Sequence, residues 1–365
     1  MDFTFSNDQI AFRDSVSRFL MTEAAPETLR EIWETDAGRS PELRGKIAEQ
    51  GLMGLSVPEA EGGLGLGDVD WALMTQELGY YAIPDSLADT AYLAAGVLAG
   101  LPAGHPLRTA WLPRIVDGSC RIAVGHPVNP WVADAHLADL LLLPAATPAG
   151  LALHAVTGDA VEITAMRSID ASRRLATVAW TPGPSTLAAD GATGQRLWDD
   201  ALERGALNAA GQLIGLAQRM LDVSVDYAAQ RKQFGKPIGA FQAVKHHLAD
   251  VVTRIEFAKP VLYRAVHALA QHESRAAALV SHAKLACADA AWTAARKGIQ
   301  VHGAMGYTWE VDLQMFMKRA WVLDAAWGDR AFHQARLASA LLVPDGAPLT
   351  GGLAIGPGTT FDFPH

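Results

Sequence analysis

The chain has 365 residues, half of them apolar, a formal net charge of −9 without an acidic tail or basic block, and two cysteines. That apolar content supports a sizeable core and excludes disorder over most of the length. The dispersed charge argues against a nucleic-acid partner. Cys120 and Cys287 make neither a CxxC nor a metal-ligand spacing, so no disulfide framework or metal site is expected, and a reducing compartment follows.

The first residues, MDFTFSNDQIAFRD, carry a charge at once and have no apolar core, which is not the pattern of a signal peptide. Ser6 or Asn7 is placed to cap a helix with Ile10, Phe12, Val16, Phe19 and Leu20 on one side. A second helix is predicted over Pro41 to Gln50 and a third from Val69 to Leu78. The Gly-rich loop between them lacks a preceding strand and a GK[ST] ending, so it reads as a structural turn rather than a nucleotide P-loop.

From about Gly118 to Thr193 short apolar runs (DLLLLPAA, GLALHAV, AVEITAM, ATVAW) alternate with Gly, Pro and Asp, which predicts an antiparallel β domain. The most apolar region, Leu137 to Val156, is interrupted by Asp139, Pro144 and Pro148 and cannot cross a bilayer as a helix. A soluble, cytoplasmic protein with no membrane partner is expected.

Long helices return over Trp198 to Gln230, Ala240 to His272, Ser274 to His302 and Asp329 to Leu342, which predicts a four-helix bundle. The first carries Leu207, Ala210, Leu213, Ile214, Ala217, Leu221, Val225 and Ala228 at helical spacing. Pro260 is expected to kink or break the second helix, and the Gly/Pro-rich tail from Pro344 to His365 reads as loosely ordered. The domains therefore run 1–117 (helical), 118–195 (β), 196–342 (bundle) and 343–365 (tail), an α+β chain overall.

Between the first two bundle helices lies RKQFGKPIGAFQ. An Arg beside a helix start suits a phosphate, because the guanidinium offers a fork and the helix offers unpaired N–H groups. Dipole compensation at a helix C-terminus accounts for the same Arg-Lys pair equally simply. Two further stretches decide between these readings: IQVHGAMGY at Ile299 to Tyr307, and LRGKIAEQGLMGLSVPEAE followed by GGLGLG from Leu43. With them the chain resembles the acyl-CoA dehydrogenase family from its start to about Leu342. RKQFG…FQ resembles that family's flavin-ADP motif, QVHGAMGY its Q-x-x-G-G-x-G-Y, and RSIDASRRLATV its T-x-D-x-S-R-x-A segment.

The resemblance implies the family's fold, FAD as cofactor and an acyl-CoA substrate. It places Arg231, Gln233, Phe234, Phe241, Gln242, Gln300, Val301, Gly303 and Ala304 at the ADP moiety of a flavin seated in the neighbouring subunit. It also exposes what is missing. VNPWVADAHLAD stands where the family's TEPxAGSD loop borders the flavin ring, and no Trp-Ile-Thr/Ser segment follows. The family's catalytic Glu, counted on from Arg319, falls on Gly328, or on Trp327 with a slip of one. The alternative position falls on Gly205, and its companion Arg on Ala206. No residue is therefore assigned a catalytic role.

Asp329 reads as an N-cap, Glu203 as facing elsewhere, and Asp324 as a loop residue needing a backbone shift to substitute. His246, His247 and His302 read as packing or surface groups. The resemblance implies the non-catalytic subunit of a heterotetrameric FAD-dependent acyl-CoA dehydrogenase, desaturating a CoA thioester at a homologous partner's site, with a steroid-derived thioester as one candidate. A homomeric flavoenzyme with an unusual base and a flavin-free structural homologue are the alternatives.

Overall fold

The computed structural model describes residues 4–342; the tail read as loosely ordered lies outside them. The N-terminal third is helical: α1 (Asn7–Glu23), α2 (Pro26–Glu34), α3 (Pro41–Glu49), α4 (Asp68–Tyr80), α5 (Ala95–Ala99) and α6 (Pro106–Val116). Ser6 caps α1 with a reciprocal box, its hydroxyl accepting from the Gln9 amide (3.2 Å) and its amide donating to the Gln9 side chain (2.9 Å). In the Gly-rich loop a side chain at Gly63 would overlap the Val57 carbonyl, so the sequence there serves a tight turn.

The middle third holds β1 (Ile122–Val124), β2 (Val132–Ala133), β3 (Leu140–Thr147), β4 (Gly150–Thr157), β5 (Glu162–Met166), β6 (Leu175–Ala179) and β7 (Leu187–Ala189). They form two sheets, ordered β1-β3-β4-β7 and β2-β6-β5. Pairing is antiparallel as expected except at one edge, where β1 runs parallel to β3. The LLLL run of β3 is explained by burial on both faces: Leu140 and Leu142 join the main core, while Leu141 and Leu143 join a smaller one between the sheets.

The last third contains α7 (Gly191–Gln230), a small hairpin of β8 (Lys232–Gln233) and β9 (Lys236–Pro237), α8 (Gln242–Ala270), α9 (Ala276–His302), α10 (Leu313–Ala325) and α11 (Arg330–Leu341). α10 is an addition to the four predicted helices, and it corrects the loop expected around Asp324. α8 passes through Pro260 without ending. Val225, predicted on the apolar face of α7, is exposed; its neighbours in that pattern are buried. α4 crosses α7 at close range because Gly79, Gly211 and Gly215 leave room for the opposing chain, where a methyl at any of them would overlap it.

Three layers meet over buried charge. Arg39 pairs bidentately with Asp134 (2.6 and 2.8 Å), and Arg121 bridges Asp134 (3.3 Å) and Asp85 (2.8 Å). Arg44 adds a second contact to Asp85 (2.7 Å). Arg319 on α10 donates to the Asp170 carboxylate, the Ser172 hydroxyl and the Ile83 carbonyl (2.8 Å), joining bundle, β layer and N-terminal helices at one side chain. Burial drives the Asp170 carboxyl upward, but the Arg319 and Arg173 charges and the hydrogen bonds from Ser172 and Arg319 together outweigh it and hold it below the usual carboxylate range. Removing one partner of such a pair strands the other in the interior. Arg319→Ala is therefore expected to cost about 3–5 kcal/mol in urea unfolding, and a loss below about 1 kcal/mol would show that the pair contributes no more than a surface bridge.

Candidate functional site

The RKQFG stretch turns at the end of α7. Lys232 pairs with Pro237 and Gln233 with Lys236, and the two residues between, Phe234 (φ 51°) and Gly235 (φ 79°), are both left-handed. That is the backbone of a two-residue hairpin turn. Gly235 adopts it freely, whereas Phe234 costs on the order of 1 kcal/mol or more. The strained turn holds the Phe234 ring 91% exposed, edge-on to Phe241 (centroids 6.1 Å apart). Arg231 and Gln233 are exposed on the same hairpin, and Arg231 makes no ion pair among the described residues.

Two other helix ends arrive at this place. α8 starts at exposed Gln242 with no side chain capping its first turn, which leaves its opening amides available to an anion. α9 ends beside it, tied by Lys297 to His247 (3.0 Å) and Asp250 (3.1 Å). The Tyr227 ring stacks on His302 at 4.2 Å, joining α7 to α9. Gln300, Gly303 and Ala304 are exposed at that end, while the Val301 side chain is buried in the bundle. Gly303 terminates α9 with φ 62°, a conformation that glycine adopts without strain. His302 is buried, its Nδ1 bonded to the Gly298 carbonyl (2.8 Å), and burial lowers its pKa. It is a packing group.

The two positions where a catalytic carboxylate was sought are one place. A Cβ on Gly205 would land inside the Trp327 indole, so the ring occupies the volume into which a side chain from α7 would project. Trp327 is buried with φ 56°. Its amide donates to Asn129 Oδ1 (3.2 Å), and its carbonyl accepts from the His333 ring (3.0 Å). Buried Lys284 donates to the carbonyls of Leu323 (3.0 Å), Asp324 (2.8 Å) and Gly328 (3.4 Å), capping the C-terminus of α10. Burial brings that ammonium down to about 8 and His333 and His126 down to about 4. The segment is fixed by neutral rings and a lysine, with no carboxylate on it aimed at the pocket.

The three nearby carboxylates are committed elsewhere. Glu203 is buried and paired with Arg336 on α11; burial raises its pKa even so. Asp324 accepts from the Trp292 indole (2.7 Å) and from Arg330 (2.9 Å). Asp329 caps α11 through the Phe332 amide (2.8 Å).

On the β side, Asn129 and Trp131 from the VNPW stretch border a cleft of about 270 Å³ closed by Met166, Ile169, Trp321 and Val322. Behind it lies a smaller polar cavity of about 40 Å³, between Asp89, Arg173, Arg319, Asn208 and Trp327. Sequence reasoning did not single out Asp89, Arg173 or Trp321, because what they share is a spatial meeting of segments far apart in the chain. The bundle end fits the diphosphate and adenosine of a dinucleotide: an exposed guanidinium, amide side chains, aromatic faces and an uncapped helix start converge there. On the β side, Asn129 Oδ1 is taken by the Trp327 amide and is not free for a flavin ring.

The profile described as acyl-CoA dehydrogenase, N-terminal domain, matches residues 6–119, and that of the C-terminal domain matches residues 192–342. The chain belongs to the acyl-CoA dehydrogenase family of oxidoreductases. It is 33% identical over 318 residues to acyl-CoA dehydrogenase IpdE2 of Mycolicibacterium smegmatis, covering 86% of this chain and 93% of that protein. Its fold superposes on the ChsE4–ChsE5 complex of Mycobacterium tuberculosis with a TM-score of 0.82 at 23% identity, over 93% of this chain and 99% of that one. A structure described as the Tcur3481–Tcur3483 steroid ACAD gives 0.81 at 22% identity, over 91% and 97%. Among the described residues no helix is long and apolar enough to cross a membrane, and no group of His, Cys, Asp and Glu could hold a metal ion.

Burial lifts the Asp89 carboxyl to about 7, against the pull of Arg173, with Asp134 and Asp85 adding to the rise. The folded chain thus holds a proton that the unfolded chain has already lost, so this stability is present at low pH and fades as pH climbs towards 7. Asp89→Asn should gain on the parent between pH 5 and pH 8, by roughly 2 kcal/mol from the size of such a shift. Urea midpoints at the two pH values check it, and a pH-independent difference would mean the carboxylate is already ionised at pH 5.

Proposed function

We propose that this chain is the non-catalytic subunit of an FAD-dependent acyl-CoA dehydrogenase, assembled with a homologous catalytic subunit into a heterotetramer. The reaction is α,β-desaturation of a CoA thioester held at the partner's site. The first chemical requirement is a carboxylate against the proton α to the thioester in a dry site; bound flavin supplies the acceptor for the hydride leaving the β carbon. The observation that carries the reading is the Trp327 indole lying in the Gly205 slot. With both base positions lost to one ring and the remaining carboxylates tied to Arg336, Arg330 and a helix cap, proton abstraction falls to the partner.

This chain contributes the other half of a site. Arg231, Gln233 and Phe234 on the hairpin, Phe241 and Gln242 at the start of α8, and Gln300, Val301, Gly303 and Ala304 at the end of α9 form a grip for the ADP half of FAD whose ring lies in the partner. Arg231 and the α8 amides take the pyrophosphate, and the backbone at Gly303 allows close approach. A steroid-derived acyl group is the substrate class this reading favours, in line with the steroid ACAD of the same fold. The cysteine usage fits a cytoplasmic enzyme.

In the assembled complex Arg231→Ala should weaken FAD by about tenfold to a hundredfold, the equivalent of ~1.5–3 kcal/mol for a charge-assisted contact, with the thermal unfolding of the complex otherwise unchanged. Equal flavin retention on dialysis in parent and variant would reduce this Arg to a helix-end charge.

A further inference from the structure

The cleft on the β side raises its own question: Arg173 lines the 270 Å³ cleft, the 40 Å³ cavity behind it and a third hollow on the outer side of β5 and β6. Its Nη1 is buried with no hydrogen-bond partner, and its guanidinium makes no ion pair among the described residues. Three arginines near it are engaged: Arg39 with Asp134, Arg121 with Asp85, and Arg319 with Asp170. Burial, and then the neighbouring Arg319 charge, lower the Arg173 pKa against the pull of Asp89, Asp170 and Asp134. Asp89, the nearest acid across the small cavity, makes no ion pair among the described residues either. Arg173 is half-buried, and a guanidinium with an unpartnered Nη1 favours an anion brought to it.

The walls in front of Arg173 say what that anion is attached to. Trp131, Met166, Ile169, Trp321 and Val322 present apolar surface there. Arg167 stands exposed at the mouth. An apolar cavity of about 150 Å³ takes a benzene ring, so about 270 Å³ accommodates a fused bicycle. We propose that this cleft binds a small carboxylate with an apolar body of two fused rings, its carboxylate anchored by Arg173 at the inner end. The inference rests on the reading that flavin does not use the β side of this chain; a cleft relieved of a flavin ring is free for another occupant.

The test is a calorimetric titration of the full-length chain with 2-naphthoate, with neutral 2-naphthalenemethanol and with riboflavin. The proposal expects saturable one-site binding of 2-naphthoate, and the alcohol at least tenfold weaker. Arg173→Met, which keeps the apolar stem, should raise the 2-naphthoate Kd tenfold or more. Ile169→Glu, on an exposed wall where folding is not at stake, should do the same by placing a like charge in the cleft. Absence of 2-naphthoate binding, equal binding of acid and alcohol, or indifference to both substitutions overturns the proposal and leaves the flavin reading intact. Riboflavin binding that displaces 2-naphthoate and is lost in Ile169→Glu overturns both, since the cleft would then be a working flavin cradle.

Discussion

The Trp327 indole can lie against α7 only because residue 205 has no side chain, and the interior of this subunit depends on that contact. A carboxylate at either position would need the space that the other now fills. Once the indole is in place, the surrounding groups hold it. Asn129 and His333 satisfy its backbone, Lys284 caps the helix leading to it, and His126 stays neutral against the ring, 5.9 Å from it. The indole against α7 is thus part of the core, and that packed volume contributes stability.

The hairpin at the other end of α7 shows the opposite investment. Phe234 is kept in a left-handed conformation and almost entirely in solvent, two features that folding alone does not favour. Arg231 beside it makes no ion pair among the described residues, and α8 opens without a side-chain cap. Strain, exposure and unpaired polar groups gathered at one end of a bundle make sense for a surface completed by another molecule.

Much of this was legible in the sequence because it is local. Helical spacing located the long helices, and the RKQFG and QVHGAMGY stretches located the bundle end. Contacts that join distant segments were not legible. Nothing in the sequence tells that Gly205 and Trp327 meet, that Arg319 reaches Asp170 and Ile83, or that Asp89 and Arg173 share a cavity. Periodicity also misplaced Val225, whose spacing is right but which lies where α7 faces outward. The parallel pairing of β1 with β3 escaped notice because a strand of three residues, Ile122–Val124, does not show its direction. α10 was missed because its apolar residues are spread around the helix, as burial of Leu313, Gln314, Met315, Phe316 and Met317 in succession demands.

The central claim is that this chain lends an ADP grip to a partner and keeps no flavin ring of its own. Flavin stoichiometry tests it most directly: the chain is co-expressed with its homologous catalytic partner, the complex is purified, and FAD is quantified by absorbance against protein determined by amino-acid analysis. The account predicts about one FAD per pair of unlike subunits, and none retained by the chain purified alone. Two FAD per pair, or a stable flavin-loaded assembly of this chain by itself, would contradict it.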